Sequence, residues 1–140
     1  MASFRKQLAD SVIMTFDHKI LLQHRPESFD SPNGCINAFG GHIEIGETPL
    51  LALRRELNEE LGAHVEAGDV VFIGGVTEEF TQHTELVHVH FWHDKKNTIE
   101  GCYEGEAVFY KTAAEALAEP KLMEYARWAL EQCAARGFIK

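Results

Sequence analysis

A chain of 140 residues is about one domain long, and 45% hydrophobic with 25% charged residues is the composition of a globular protein able to bury a real core. Its 13 basic against 22 acidic residues leave a formal charge of −9, which repels a polyphosphate backbone and argues against general DNA or RNA binding. Apolar runs such as Val12-Ile13-Met14 fall far short of the roughly 20 residues a membrane span needs, and no apolar stretch follows Arg5 and Lys6 as an export signal requires. Cys35, Cys102 and Cys133 are odd in number and widely spaced, with no CxxC pair, so reduced thiols in a cytoplasmic protein are expected rather than a disulfide frame or a zinc site.

In chain order, Val12–Phe16, the turn residues Asp17-His18-Lys19 and Ile20–His24 predict a hairpin. Residues 25–47, with Pro26, Pro32, Gly34, Gly40, Gly41 and Gly46, predict a long irregular stretch, and such loops are usually functional. Thr48 as N-cap, Pro49 at the first helical position and Gly62 past the end predict a helix to Leu61, with Leu50, Leu53, Leu57 and Leu61 as its core stripe. Strands are predicted at Val70–Ile73, broken or bulged by Gly74-Gly75, and at Leu86–Trp92 and Ala107–Tyr110. A short helix at Ala113–Leu117 and a longer one at Lys121–Ala135, ended by Gly137, complete a single α/β domain over 1–140, its sheet sandwiched between helices.

Chemistry concentrates in Gly41–Gly62. At about 100° per residue, Glu56 and Glu60 lie within roughly 40° of each other one turn apart, and Glu59 falls on the same flank, away from the leucines. Arg55 can pair with Glu59 at i,i+4, but one guanidinium does not balance three carboxylates. A hard divalent ion with oxygen ligands, Mg²⁺ or Mn²⁺, completed by waters and a substrate phosphate, resolves the repulsion. A plain solvated Glu-rich helix face is the bland alternative. The preceding Gly40-Gly41 favours the ion, because it allows a tight backbone approach and carbonyl ligands.

The segment resembles the Nudix box, G-x5-E-x7-R-E-U-x-E-E-x-G-U, where U is a bulky aliphatic. Gly41, Glu47, Arg55-Glu56-Leu57, Glu59-Glu60 and Gly62 fall in register, and Ala63, a small residue, stands at the final U. Seven fixed identities at usages of roughly 7% give a chance match on the order of 10⁻⁸ per starting position. Gly34-Cys35-Ile36-Asn37-Ala38-Phe39-Gly40-Gly41 departs from the G-x-W-x-x-P-G-G that often precedes the box, at Ile36 and Phe39. Leu21-Leu22-Gln23-His24-Arg25 is similar to the family's LLxxR strand end.

The resemblance implies an α/β/α sandwich with a mixed sheet, and hydrolysis of a nucleoside diphosphate linked to another group with Mg²⁺ or Mn²⁺. On matching positions it implies Glu56 and Glu60 as principal metal ligands, Glu59 as a further ligand or base, and the Gly40 carbonyl as a backbone ligand. Glu47 and Arg55 would hold loop and helix together and orient the carboxylates. An assisting glutamate from a later loop would be Glu104 or Glu106, and Arg25 and Phe39 are candidates to touch substrate.

Residues 78–81 carry neither the proline nor the tyrosine that mark ADP-ribose and dinucleoside-polyphosphate types, and the chain is short for the family. A triphosphate substrate, split to monophosphate and pyrophosphate, is therefore the leading expectation. A nucleotide-sugar or other NDP-X hydrolase, a silent nucleotide-binding module and an RNA-decapping enzyme are the rivals. The partner expected is a small nucleotide, with no nucleic acid or membrane, for a monomer or homodimer. His88, His90 and His93 raise a transition-metal alternative, for which no paired Cys or second HxH is present.

Overall fold

The first strand is longer than its apolar run. In the computed structural model, which describes residues 4–27 and 34–140 (Phe80 by its backbone alone), β1 covers Lys6–Met14 and β2 covers Ile20–Arg25. Phe16 lies in the turn between them and is exposed; Thr15 closes that turn by accepting the Lys19 amide at 2.9 Å. The expected hairpin exists only at its tip, where Ile13 pairs with Leu21 and Met14 with Ile20.

Beyond the tip β1 and β2 diverge, and the fork between them is filled by two short strands. β3 (Cys35–Asn37) pairs antiparallel with the end of β2, and β4 (Phe39–His42) pairs antiparallel with Leu8–Ser11 of β1. The irregular stretch expected over 25–47 is thus partly strand; residues 28–33, Pro32 among them, lie outside the described residues. Glycine-rich segments of three and four residues carry no alternation to read, and it is pairing to distant strands that orders them.

β5 (Val70–Thr77), β6 (Glu85–His93) and β7 (Glu106–Tyr110) complete a seven-stranded sheet in the order β3-β2-β1-β6-β5, with β4 beside β1 and β7 beside β2. β1 and β6 run parallel from Lys6↔Glu85 to Met14↔His93, and the other pairs are antiparallel, so the sheet is mixed. β5 runs through Gly74-Gly75 rather than stopping there, with its register slipping between Phe72 and Gly74 as a bulge. A Cβ on Gly74 would meet the Trp128 ring at 2.9 Å, so glycine here lets a helix approach the sheet.

Helices cover both faces, which gives the three-layer α/β/α arrangement. On one face α2 (Ala113–Leu117) and α3 (Glu124–Ala135) pack Ala116, Tyr125, Ala129 and Leu130 onto Val12, Leu22, Val89 and Phe91. α3 starts three residues later than its periodicity suggests. Residues 121–123 are extended against β3 instead: the Ile36 amide donates to the Lys121 carbonyl at 3.0 Å and the Met123 amide to the Ile36 carbonyl at 2.9 Å. On the other face α1 (Pro49–Leu61) buries Ala52, Leu53, Leu57, Glu60 and Leu61 against Ala9, Ile13, Leu21, Phe39 and Trp92. Leu50, expected in that stripe, is only half-buried, and its place is taken by Ala52.

Both ends of α1 follow local signals. Thr48 accepts the Leu51 amide at 3.2 Å, and Gly62 closes the last turn at φ 66°. Among the described residues no helix is long and apolar enough to cross a membrane, and all three cysteines are free.

Candidate active site

The fork between β1 and β2 opens into a cleft of about 530 Å³, within the range of small-molecule sites. One wall is the β4 backbone at Gly40-Gly41, backed by α1. Gly40 has φ 146°, and a Cβ there would sit 2.1 Å from the Ala9 carbonyl oxygen; a Cβ on Gly41 would sit 2.6 Å from the carboxyl carbon of Glu56. Only glycine lets the β4 main chain press this closely on β1 and on the helix carboxylates.

The outer flank of α1 is an ion-pair network centred on Arg55. Arg55 grips Glu47 with two parallel bonds, Nε to Oε2 at 2.8 Å and Nη2 to Oε1 at 2.9 Å. Its remaining donors reach Glu56 Oε1 at 2.8 Å and the His42 carbonyl at 3.0 Å, and Nη1 lies 3.5 Å from Glu59 Oε2. Glu47 also accepts the Glu44 amide at 2.9 Å. These bonds to Arg55 and Glu44 hold the Glu47 carboxyl down at about 2. The loop between β4 and α1 is thereby tied to the helix through one guanidinium, the arrangement expected of Glu47 and Arg55.

The inner flank is the opposite. Glu60 is 1% exposed, and its Oε1 has no hydrogen-bond partner. Burial, together with the charges of Glu104, Glu56 and Asp10, pushes its carboxyl up to about 9, against a single donated bond from the Gly40 amide. Asp10, on β1 and equally deep, is pushed up to about 7 by burial, opposed mainly by the Tyr125 hydroxyl. Asp10, Glu56 and Glu104 thus act on Glu60 as like charges, and of the four only Glu56 has an ion-pair partner, Arg55, among the described residues. Among the described residues no three His, Cys, Asp or Glu side chains close on one point as a ready-made metal cage.

The other expected site residues are placed as follows. Glu56 lines the cleft, and Glu59, on the same helix, is mostly exposed to solvent. Arg25 lines the cleft from the end of β2. Glu104 also lines it, on a turn held by the bond from Gln23 Nε2 to the Glu104 carbonyl at 2.9 Å. Glu106 instead stands on the exposed start of β7, 3.4 Å from His24 Nδ1.

Phe39 corrects an expectation. It is wholly buried beneath α1 with Leu53 and Leu57 and does not line the cleft, because β4 turns it toward the core. The side chain of Phe80, a second aromatic that could stack on a base, lies outside what is described. The histidines do not gather: His88 bonds Gln7 Oε1 at 2.9 Å, His90 bonds the Asp10 carbonyl at 3.2 Å, and His93 packs against His18 with the rings tilted at 48°.

Sequence reasoning missed Asp10, Glu78 and Asn37. Asp10 lies within β1 and Glu78 just after β5, and the burial of both is set by packing against elements distant in the chain. The signal available was an acid between Ala9 and Ser11, just before the apolar run Val12-Ile13-Met14.

The family model of the NUDIX domain matches residues 5–136 of this chain. The chain belongs to the Nudix family. It is 33% identical over 112 residues to the CTP pyrophosphohydrolase of Escherichia coli (strain K12), covering 79% of this chain and 78% of that one. It is 35% identical over 103 residues to the oxidized purine nucleoside triphosphate hydrolase of Danio rerio, covering 74% of this chain and 60% of that longer relative. The crystal structure of the MutT protein from Methanosarcina mazei Go1 superposes with a TM-score of 0.77 at 21% identity, over 98% of each chain, which shows the shared fold. The protein is a Nudix hydrolase, an enzyme acting on phosphoanhydrides of nucleotides.

Proposed function

We propose that this Nudix hydrolase is a divalent-metal-dependent nucleoside triphosphate pyrophosphohydrolase, releasing a nucleoside monophosphate and pyrophosphate. The observation that carries the metal is the unpartnered Oε1 of Glu60, buried among Asp10, Glu56 and Glu104 beside a glycine backbone. A buried acid surrounded by like charges is costly in isolation and fits a cation-binding role. Glu56, Glu60 and the Gly40 carbonyl would hold Mg²⁺ or Mn²⁺, with Glu59 on the solvent side as a further ligand or base, and waters and substrate phosphates completing the set. When bound, such an ion offsets phosphate charge and lowers the pKa of water.

The chain's own groups do the rest. Arg55 and Glu47 fix the orientation of Glu56 and anchor the loop. Gly40-Gly41 brings main chain, rather than a bulky side chain, against the phosphates. Arg25 adds the positive charge at the cleft's edge. Glu104, which lines the cleft, takes the proton of the attacking water, whereas Glu106 does not line it and pairs with His24.

The triphosphate assignment is supported by the names of the two curated relatives, both acting on nucleoside triphosphates or their pyrophosphate bonds. Its test is product analysis with Mg²⁺ on triphosphates beside ADP-ribose, nucleotide sugars and dinucleoside polyphosphates, with Glu60→Gln and Glu104→Gln as controls. Pyrophosphate and monophosphate from triphosphates are expected, lost in both variants. Turnover of nucleotide sugars to sugar phosphate, with triphosphates untouched, would replace this reading by that of an NDP-X hydrolase.

A further inference from the structure

The turn that carries Glu104 is held between α1 and β2. On one side the Tyr103 amide donates to the Glu60 carbonyl at 2.8 Å, which lays the chain against the end of α1. On the other, Glu106 and Ala107 enter β7 by pairing with His24 and Gln23 of β2. Between these anchors the Glu104 carbonyl accepts from two side chains, Gln23 Nε2 at 2.9 Å and Cys102 Sγ at 3.3 Å. The thiol is the weaker donor, and it is shared with the Gly105 carbonyl at 3.6 Å. Gln23 therefore makes the stronger bond.

Gln23 stands where an apolar residue is expected. It is 3% exposed, and Ile20, Leu21 and Leu22, the three residues before it in β2, are all buried hydrocarbon. In the strand-end pattern LLxxR it fills an unspecified place, so that pattern does not account for it. A buried amide is costly unless it is bonded, and the group this one bonds is the main chain of the residue proposed to take the proton of water. Gly105 makes the contact possible. At φ 67° it turns the chain down onto β2, where a Cβ would meet Gln23 Cγ and the His24 carbonyl oxygen, each at 2.9 Å.

We propose that Gln23 is a positioning residue for hydrolysis: by fixing the Glu104 main chain against β2, it keeps the Glu104 carboxylate aimed into the cleft. The inference rests on Glu104 as the base and goes beyond it by naming what holds that base in place. Both side-chain bonds at Glu104 go to its carbonyl, and its carboxylate forms no ion pair among the described residues, so the main chain sets where it points. A base acts only within hydrogen-bond reach of the proton, and productive geometry tolerates about 0.5 Å of displacement.

The test removes the donor and keeps the volume. Gln23→Met fills the same space without an N–H, and Gln23→Asn keeps the amide but withdraws it by one methylene, about 1.5 Å. kcat and KM are measured with Mg²⁺ on the fastest substrate among triphosphates, ADP-ribose, nucleotide sugars and dinucleoside polyphosphates, and a cooperative thermal transition verifies folding. Both variants are expected to lower kcat about 10–100-fold, as for groups that orient a reacting residue, with KM nearly unchanged.

The deciding readout is the double-mutant cycle with Glu104→Gln, taken as single-turnover rates with enzyme in excess so that slow variants are still read. Acting through Glu104, Gln23→Met costs less than about twofold in the Glu104→Gln background. A role in packing the cleft would cost the same in both backgrounds. Wild-type kcat in both Gln23 variants, or an equal loss in both backgrounds, overturns the proposal while Glu104 stays the base. If Glu104→Gln turns over at the wild-type rate, or no nucleotide is turned over at all, the reading of Glu104 fails and the proposal falls with it.

Discussion

Two flanks of α1 carry the same residue type in opposite states. On the outer flank Glu56 and Glu47, the latter from the preceding loop, share Arg55, whose guanidinium makes four hydrogen bonds, and the Glu47 carboxyl is held at about 2. On the inner flank, one turn beyond Glu56, Glu60 is buried with an orphaned oxygen and is pushed to about 9. The outer flank is what a structural ion pair looks like: paired, hydrogen-bonded, pKa lowered. The inner flank stabilises nothing by itself, which is the expected condition of a group whose partner arrives with function.

The largest effect that would sharpen this contrast is at Glu60. Glu60→Gln is expected to lower kcat by more than the roughly 10–100-fold typical of residues that only orient ligands, while the thermal midpoint measured without metal does not fall. A variant that loses stability and keeps its turnover would exchange the two flanks' roles.

Arg55→Lys comes next. Lysine cannot reproduce the two-bond grip on Glu47 together with the bonds to Glu56 and the His42 carbonyl, so activity is expected to fall about 10–100-fold. The thermal midpoint should drop as well, because the loop is no longer tied. Activity assays paired with melting curves separate this variant from Glu60→Gln.

The smallest effect is on acid stability. The Glu47 carboxyl is lower in the folded chain than its ordinary value of 4.5, so its contribution is present above that value and is lost as pH falls through it toward about 2. Glu47→Gln should therefore cost stability at neutral pH and flatten the decline below pH 4.5, as read by denaturant unfolding at several pH values. A parallel decline in wild type and variant would mean that the grip contributes nothing to folding.

What could be read in the chain beforehand was what is encoded locally. Thr48, Pro49 and Gly62 bound α1 to the residue, and the spacing of Arg55, Glu56, Glu59 and Glu60 put the candidate ion ligands on one helix. β3 and β4 were not legible, since their order comes from pairing with β2 and β1 rather than from their own residues. Phe39 shows the limit of residue type: an aromatic next to a glycine pair fits a stacking role equally well until the facing of β4 is known. Glu104 and Glu106, two residues apart around Gly105, could not be separated because the turn between them has φ 67°, and only its geometry sends one into the cleft. Asp10 and Glu78 are visible as site residues only after folding brings β1 and β5 under α3.

Binding of Mn²⁺ without nucleotide tests Glu60 as the seat of a cation with no assumption about substrate. Titration of the whole chain with Mn²⁺, followed by the loss of the free-ion paramagnetic resonance signal, should show saturable binding to the wild type that Glu60→Gln abolishes or weakens at least tenfold. Equal Mn²⁺ binding by wild type and Glu60→Gln would contradict it.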